Sequence, residues 1–385
     1  MKMKLTNRSP YFASMLLALS FLATGSATAA EDQVFKVGIT GPLTGPQAAI
    51  GKDDENGARM ALDKVNAQGI VADGKKVRFE LVSVDDAADP RTGMTVAQNM
   101  IDSGVKLALG PYNSGVAIPT SKLLNDSGVL MATVATNPQI TAQGLPNVFR
   151  IAASDSQIGA KMGQYASKNL KLKRMAVIDD RTAYGQGVAD EFVKAAKANG
   201  IEIVDREYTS DKATDFSAIL TKVKSQRPDG IFYGGYYSQG GPLLKQMTRL
   251  AMTQYLLGGD AICNDELGKL AGSAVDSRAF CALGGPVLES SKAGRDFKAE
   301  YAKRYNIDPL TYSSSMYDGV MLLAAAVKSA NSIDVQKVRA ALLKVDQQGV
   351  AGDYSFNENR DLKNSPITVY TFKNSSMTPV KDAAN

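Results

Sequence analysis

Ile231-Phe232-Tyr233-Gly234-Gly235-Tyr236-Tyr237-Ser238-Gln239-Gly240 reads as an apolar strand running into two glycines and then a pair of tyrosines. Glycine lets a backbone turn and come close to a ligand. The tyrosines stand just past the strand's carboxyl end, where open α/β sheets hold their ligands. A tyrosine offers a flat apolar face and one hydroxyl, which suits reversible recognition better than bond breaking. The 385 residues contain no histidine, so the commonest general base and the commonest metal ligand are both missing. A binding protein is favoured over an enzyme, with no catalytic residue, cofactor or metal expected.

Outward from that stretch, strand and helix signals alternate. Strands are predicted at 34–39, 77–84, 107–109 and 129–134. Between them lie a helix after Gly51 with Ala58, Ala61, Leu62 and Val65 on one face, stopped by Gly69, then helices at 92–101 and 115–124. The pattern restarts after 147–151. Helix 156–170, strand 175–178, a helix carrying Ala189, Phe192, Val193 and Ala196, and strands at 201–204, 230–233 and 255–257 follow. This rhythm predicts an α/β fold of two Rossmann-like, doubly wound lobes with parallel sheets covered on both faces.

The remaining helices, at 293–305, 316–329 and 335–343, and the strands near Tyr354 and at 367–372 are too few for a third domain. They complete the first two, so the chain crosses between lobes more than once. The expected division is 31–152 with 285–362 in the first lobe. The second takes 153–284, with 363–385 as its return and tail. Without a Pro- or Gly-rich linker, the hinge is expected to be several short strands that let the lobes close on a ligand.

Residues 1–30 read as a secretory signal peptide. Lys2, Lys4 and Arg8 form a basic start, Ala13 to Ala23 an apolar run, and Ala27-Thr28-Ala29 a small-residue cleavage site near Ala29/Ala30. The apolar run is too short to span a bilayer comfortably. An exported, periplasmic protein of about 355 residues is expected, enough for two domains. The formal charge of +5 owes three positives to the leader, and the rest are interspersed, which speaks against nucleic acid. Two cysteines, Cys263 and Cys281, in an exported chain point to one disulfide. The alternative is a pair of buried thiols acting as small hydrophobes.

Loop clusters just past strand ends are the candidate ligand contacts: Asn113-Ser114, Ala135-Thr136-Asn137-Pro138, Ala183 to Gly187, Tyr236-Tyr237, and Asp260 after Gly258-Gly259. Ser114 and the free amides of the helix behind it suit a carboxylate, or Ser114 only caps that helix. Thr136 alternatively serves the turn before Asn137-Pro138. The tyrosines alternatively pack as half-buried side chains, and Asp260 alternatively caps a helix at 265–271.

At these positions the sequence resembles the branched-chain amino-acid-binding proteins, the soluble receptors of ATP-driven amino-acid importers. The likeness covers essentially the whole mature chain. It rests on Gly41-Pro42-Leu43-Thr44-Gly45-Pro46, Asp85-Asp86-Ala87-Ala88-Asp89-Pro90, Ala135-Thr136-Asn137-Pro138, Tyr184-Gly185-Gln186-Gly187 and Tyr233-Gly234-Gly235-Tyr236-Tyr237, five motifs in the family's order and spacing. The resemblance implies a type I periplasmic binding fold, two lobes joined by a three-crossover hinge. By the same resemblance Ser114, Thr136 and the main chain at Val134 hold the ligand carboxylate, and Asp260 with Tyr236 meets its ammonium. Ile50, Tyr112, Asn113, Tyr184 and Tyr312 then line the cleft and side-chain pocket. The family often has an aromatic residue where Ile50 stands and Glu where Asp260 stands. Some members have a disulfide where this chain has Ala88 and Asn113.

The implied function is capture of an aliphatic, Leu/Ile/Val-like amino acid by a monomer that hands it to a membrane permease. A second class is an exported sensor of the same fold for another small carboxylate or amide. An enzyme is disfavoured, because no Gly-x-Gly-x-x-Gly follows the first strand and no Gly-x-Ser-x-Gly elbow occurs.

Overall fold

The computed structural model describes residues 32–381. The predicted leader and the last four residues lie outside the described residues. Among the described residues, no helix is long and apolar enough to cross a membrane.

The chain opens with β1 (Gln33–Gly41), α1 (Ala48–Gln68), β2 (Val71–Ala72), β3 (Lys75–Asp85), α2 (Pro90–Asp102), β4 (Leu107–Leu109), α3 (Ser114–Asp126), β5 (Leu130–Thr133), α4 (Gln139–Ala142) and β6 (Val148–Arg150). These strands form one sheet in the order β2-β3-β1-β4-β5-β6, parallel except for β2. Every residue of β4, β5 and β6 is buried, as expected of a parallel sheet covered on both faces. Local chemistry sets the helix ends. Asp89 caps α2 by accepting from the amides of Arg91 and Thr92, with Pro90 at the first helical position. Gly69 ends α1 in the left-handed conformation, φ 66°.

A second sheet follows. It is built from α5 (Asp155–Lys168), β7 (Arg174–Asp179), α6 (Ala183–Ala198), β8 (Glu202–Tyr208), α7 (Ser217–Ser225), β9 (Gly230–Gly234), α8 (Tyr237–Arg249), β10 (Tyr255–Gly258), α9 (Asp265–Ala271) and β11 (Ala279–Gly284). Three further helices, α10 (Lys292–Tyr305), α11 (Ser313–Ala330) and α12 (Val335–Leu342), pack back on α1 and on one another. The short pair β12 (Asp346–Gln348) and β13 (Asp353–Ser355) precedes β14 (Ile367–Lys373) and β15 (Ser376–Pro379). These last two strands join the second sheet antiparallel, giving the order β15-β14-β11-β10-β9-β7-β8.

Both sheets share one logic. In each, the first strand lies between the second and third of its parallel set, so the strand order reverses beside it. The crevice at the carboxyl ends of the strands at that reversal is where doubly wound sheets bind ligands. In the first sheet the reversal lies between β1 and β4, in the second between β7 and β9.

The chain passes between the sheets three times, after Arg150, after Gly284 and before Ile367. The second passage runs through Gly284-Gly285-Pro286, a short Gly/Pro stretch where none was expected; Gly285 has φ +97°, which favours glycine. The passages are laced together. Gly285 N donates to Pro366 O at 2.7 Å, and Arg150 N to Arg360 O at 3.0 Å. The fully buried Arg150 side chain spans the first and third passages. Its Nε donates to Asp361 Oδ1 at 2.6 Å, Nη1 to the carbonyls of Ala135 and Asn137, and Nη2 to Thr141 Oγ1. A buried charge is tolerated when it is paired and its donors are matched.

The glycines of the strand at 230–234 act differently from their sequence reading. A Cβ on Gly234 would stand 2.2 Å from Gly185 O, and one on Gly235 would stand 2.3 Å from Tyr233 Oη. They admit the chain's own backbone and ring, the first turn of α6 above all, rather than a ligand.

Candidate functional site

The carboxyl ends of the two sheets face each other, and all ten expected contact residues are buried there. Tyr112, Asn113 and Ser114 follow β4, and Val134 and Thr136 follow β5. Ile50 lies in the first turn of α1, and Tyr312 just ahead of α11. Opposite them stand Tyr184 in the first turn of α6, Tyr236 just ahead of α8, and Asp260 just past β10. The ring centroids of Tyr112 and Tyr236 are 5.8 Å apart, those of Tyr112 and Tyr312 6.1 Å, and those of Tyr184 and Tyr236 5.1 Å. Aromatic pairs at such separations attract. The two sides are in contact.

Four hydrogen bonds fasten the closure, one of them from Thr311 Oγ1 to Cys263 O at 3.3 Å. Tyr312 Oη donates to Asp260 Oδ2 at 2.7 Å. Tyr237 Oη donates to Pro46 O at 3.0 Å, and Asn137 Nδ2 to Ala183 O at 2.7 Å. The expected pair Tyr236-Tyr237 is therefore split. Tyr236 faces the cleft rings, while Tyr237 opens α8 and reaches across to the loop before α1.

Ser114 is the first residue of α3 and not its cap. Its Oγ accepts from Asn137 N at 3.3 Å, which ties together the two loops that the sequence assigned to a carboxylate. Thr136 lies between them, and its carbonyl accepts from Asp155 N at 2.8 Å. Hydroxyls and the free amides at the start of a helix, held side by side, are an anion-binding arrangement.

Asp260 begins a tight turn, 260–262, so it caps no helix; Asn264 caps α9. It accepts from Tyr312 and, at 3.0 Å, from Tyr184 Oη. Burial pushes its carboxyl above the usual range, while these two hydroxyls pull the other way. The turn is pinned by the Cys263–Cys281 disulfide, which ties it to β11. The alternative of two unpaired thiols is thereby set aside.

One residue of the site escaped the sequence reading. Asp155 opens α5 beside Thr136, fully buried, and neither of its carboxylate oxygens has a hydrogen-bond partner. Burial pushes its carboxyl well up, and the nearby Asp260 adds to the effect. Position 187 must stay small beside it, since a Cβ on Gly187 would come within 3.3 Å of Asp155 Oδ2 and 2.4 Å of Asn137 Nδ2. In sequence Asp155 looks like a helix-start acid, because Ser154 and Gln157 form a capping box around it. What could have marked it is its place at the first passage between lobes.

Two buried acids therefore face the same space as a row of hydroxyls and amides. Such an arrangement offers acceptors to a cation and donors to an anion. Among the described residues no group of three His, Cys, Asp or Glu side chains suits a metal ion.

A sequence model of the periplasmic binding protein family matches residues 34–376. The Leu/Ile/Val-binding protein BraC3 of Rhizobium johnstonii is 36% identical over 344 residues, 88% of this chain and 91% of that protein. Among solved structures, a leucine binding protein from Thermotoga maritima superposes with a TM-score of 0.83 at 27% identity, covering 90% of this chain and 97% of that one. A solute binding protein of an ABC transporter from Rhodopseudomonas palustris, in complex with 3,4-dihydroxybenzoic acid, gives 0.78 at 25% identity, covering 90% and 96%.

Proposed function

Because the chain belongs to the periplasmic binding protein family, we propose that it captures an aliphatic, Leu/Ile/Val-like amino acid and delivers it to the membrane permease of an ABC importer. The members of this family named above bind solutes, and the chain is a solute-binding protein rather than an enzyme.

The observation that carries the reading is the pairing of opposite chemistries across one buried space. Ser114, Thr136 and the main chain at Val134 take the α-carboxylate. Asp155 and Asp260, with Tyr236 alongside, take the α-ammonium. An amino acid's two charges both need partners in a dry cleft, and two carboxyls that disfavour each other's ionisation are relieved by an incoming cation. Ile50, Tyr112, Asn113, Tyr184 and Tyr312 surround the rest of the ligand. The lobes are taken as 31–152 with 285–362, and 153–284 with 363–385, closing about the three passages. The family's description and the predicted leader support export, cleavage near Ala29/Ala30 and a periplasmic home. One chain supplies every named contact, which supports a monomer.

A second reading has one observation in its favour, the dihydroxybenzoate held by the Rhodopseudomonas palustris protein. An exported receptor or sensor for an aromatic carboxylate would use the same anion end. It would leave Asp155 and Asp260 without a cation, and this weighs against it. Calorimetry with leucine, with 4-methylpentanoate (leucine lacking its ammonium) and with benzoate separates the two. Leucine binding far above 4-methylpentanoate is expected. Benzoate binding with no response to any amino acid would overturn the amino-acid reading.

A further inference from the structure

Helix α1 carries buried acids of its own, Asp53, Asp54 and Glu55, which the site described above does not use. The stretch from Gln47 to Asp54 is held between two turns that face the cleft. At its start Asn113 Nδ2 donates to Gln47 Oε1 at 2.8 Å, which fixes the helix beside Tyr112. At its far end Asp53 accepts from Ser313 N at 3.0 Å, Leu310 N at 2.9 Å and Tyr301 Oη at 2.8 Å, which fixes it beside Tyr312. Asp53 thus has a full set of structural partners.

Asp54 does not. It is buried, and neither of its carboxylate oxygens has a hydrogen-bond partner. It lies four residues beyond Ile50, and residues so spaced share one face of a helix. The Tyr112 hydroxyl is buried and unpartnered as well. The Tyr112 ring packs against both Tyr236 and Tyr312, and its phenol feels the fields of Asp260 and of Asp54. Ile50 is among the residues read as lining the side-chain pocket, and Asp54 shares its face of α1.

We infer that Asp54 is a specificity-determining residue: with the Tyr112 hydroxyl it makes the floor of the side-chain pocket polar, so the cleft takes α-amino acids whose side chains end in a carboxamide alongside hydrocarbon side chains of the same shape. This rests on the amino-acid reading above. The choice of an amide follows from what surrounds Asp54. Burial first, then the carboxyls of Asp53 and Asp86, push its carboxyl well above the usual range. The nearby cations Lys52 and Arg59 are paired with Glu55. A protonated carboxyl presents one donor and one acceptor, and a primary amide answers both. A hydrocarbon answers neither, and leaves the pocket floor as unmatched as it is in the free protein.

Leucine and asparagine, nearly equal in shape, are the test pair, with valine and threonine as a second. The readout is the ratio of their dissociation constants by calorimetry, on the parent and on Asp54→Leu and Asp54→Asn. Asp54→Leu should move the ratio about tenfold or more toward leucine, since a site built for a polar group rejects its apolar isostere by such factors or greater. Asp54→Asn, which keeps a donor and an acceptor, should stay within about threefold of the parent. A ratio in Asp54→Leu equal to the parent's overturns the inference and leaves the amino-acid reading standing. So does a parent that binds leucine and rejects asparagine by more than about a thousandfold. If Asp54→Leu does not fold, Tyr112→Phe must shift the ratio in the same direction, and an unmoved ratio there overturns the inference equally. A parent that binds no α-amino acid at all overturns the amino-acid reading itself.

Discussion

Tyr312 donates its hydroxyl to Asp260 at 2.7 Å, from the turn ahead of α11 on one side of the cleft to the turn past β10 on the other. On the proposed reading, closure and recognition share one carboxylate. Asp260→Ala should weaken leucine binding by about 2–5 kcal/mol, the range for removing one partner of a buried charge pair. Tyr312→Phe should weaken it by less, about 0.5–1.5 kcal/mol, because only a hydrogen bond is removed. Calorimetry at fixed pH measures both. Equal affinity in Asp260→Ala and the parent would show the ammonium lies elsewhere.

Asp155 should behave in opposite senses in two assays. With no ligand it is a buried acid without a partner, and such a group destabilises the protein that carries it. Asp155→Asn should raise the melting temperature of the ligand-free protein while weakening leucine binding by about 1–3 kcal/mol. A loss of both stability and affinity would mark it as a structural residue only.

Tyr237 and Pro46, joined across the cleft at 3.0 Å, predict that the closed form has latches that do not involve ligand. Small-angle scattering should show a smaller radius of gyration with leucine than without. Tyr237→Phe should widen the ligand-free form and weaken binding by about 0.5–1.5 kcal/mol. Identical profiles with and without saturating leucine would rule out hinge closure.

The disulfide is expected to serve the site as well as stability. Cys263 lies in the turn that begins at Asp260, and its amide donates to the Asp260 carbonyl at 2.8 Å. Replacing Cys263 and Cys281 by alanine should lower unfolding free energy by about 3 kcal/mol, the chain-entropy value for a loop of this size. It should also weaken leucine binding. Denaturant titration and calorimetry on the same variant check the two parts separately.

Asp318 sets a pH dependence. Its oxygens accept from Val350 N at 2.8 Å and Ala351 N at 2.7 Å, yet burial dominates and lifts the carboxyl to about 6 from 3.8. The folded protein thus holds this proton more tightly than the unfolded chain. The stabilisation is complete below the unfolded value and is lost as pH rises through the folded one. Between those two values stability should fall with rising pH, and Asp318→Asn should flatten that slope in thermal melts. Asp86 and Asp180, also lifted to about 6, act with the same sign, so the difference between variant and parent is the quantity to read.

Much of this architecture was legible because strand and helix periods differ. The runs at 107–109 and 230–233 are apolar throughout and bounded by glycine, and both became buried parallel strands. Helix α8 was missed because Gly240-Gly241-Pro242 reads as a breaker. A Cβ on Gly241 would stand 2.4 Å from Leu270 Cβ, so that glycine serves close packing on α9, a tertiary demand with no local signature. Strand β11 was also missed. Asp260 was placed through family likeness. Asp155 had only its place at the first passage between lobes to mark it and Asp54 had nothing, because what sets both apart is the partner each lacks, and that is known only when every neighbour is in place.

The tie between Arg150 and Asp361 joins positions 211 residues apart. During synthesis the first lobe's sheet is complete once β6 has emerged, but the guanidinium at its end has no counter-charge until nearly the whole chain is made. A nascent chain stopped before Asp361 keeps the Arg150 bonds to Ala135, Asn137 and Thr141 but lacks the counter-charge, and it also lacks β14 and β15. Early, self-sufficient folding of the leading part is thereby discouraged. The last charge-matching contact of the first sheet is thus supplied by nearly the last of the chain.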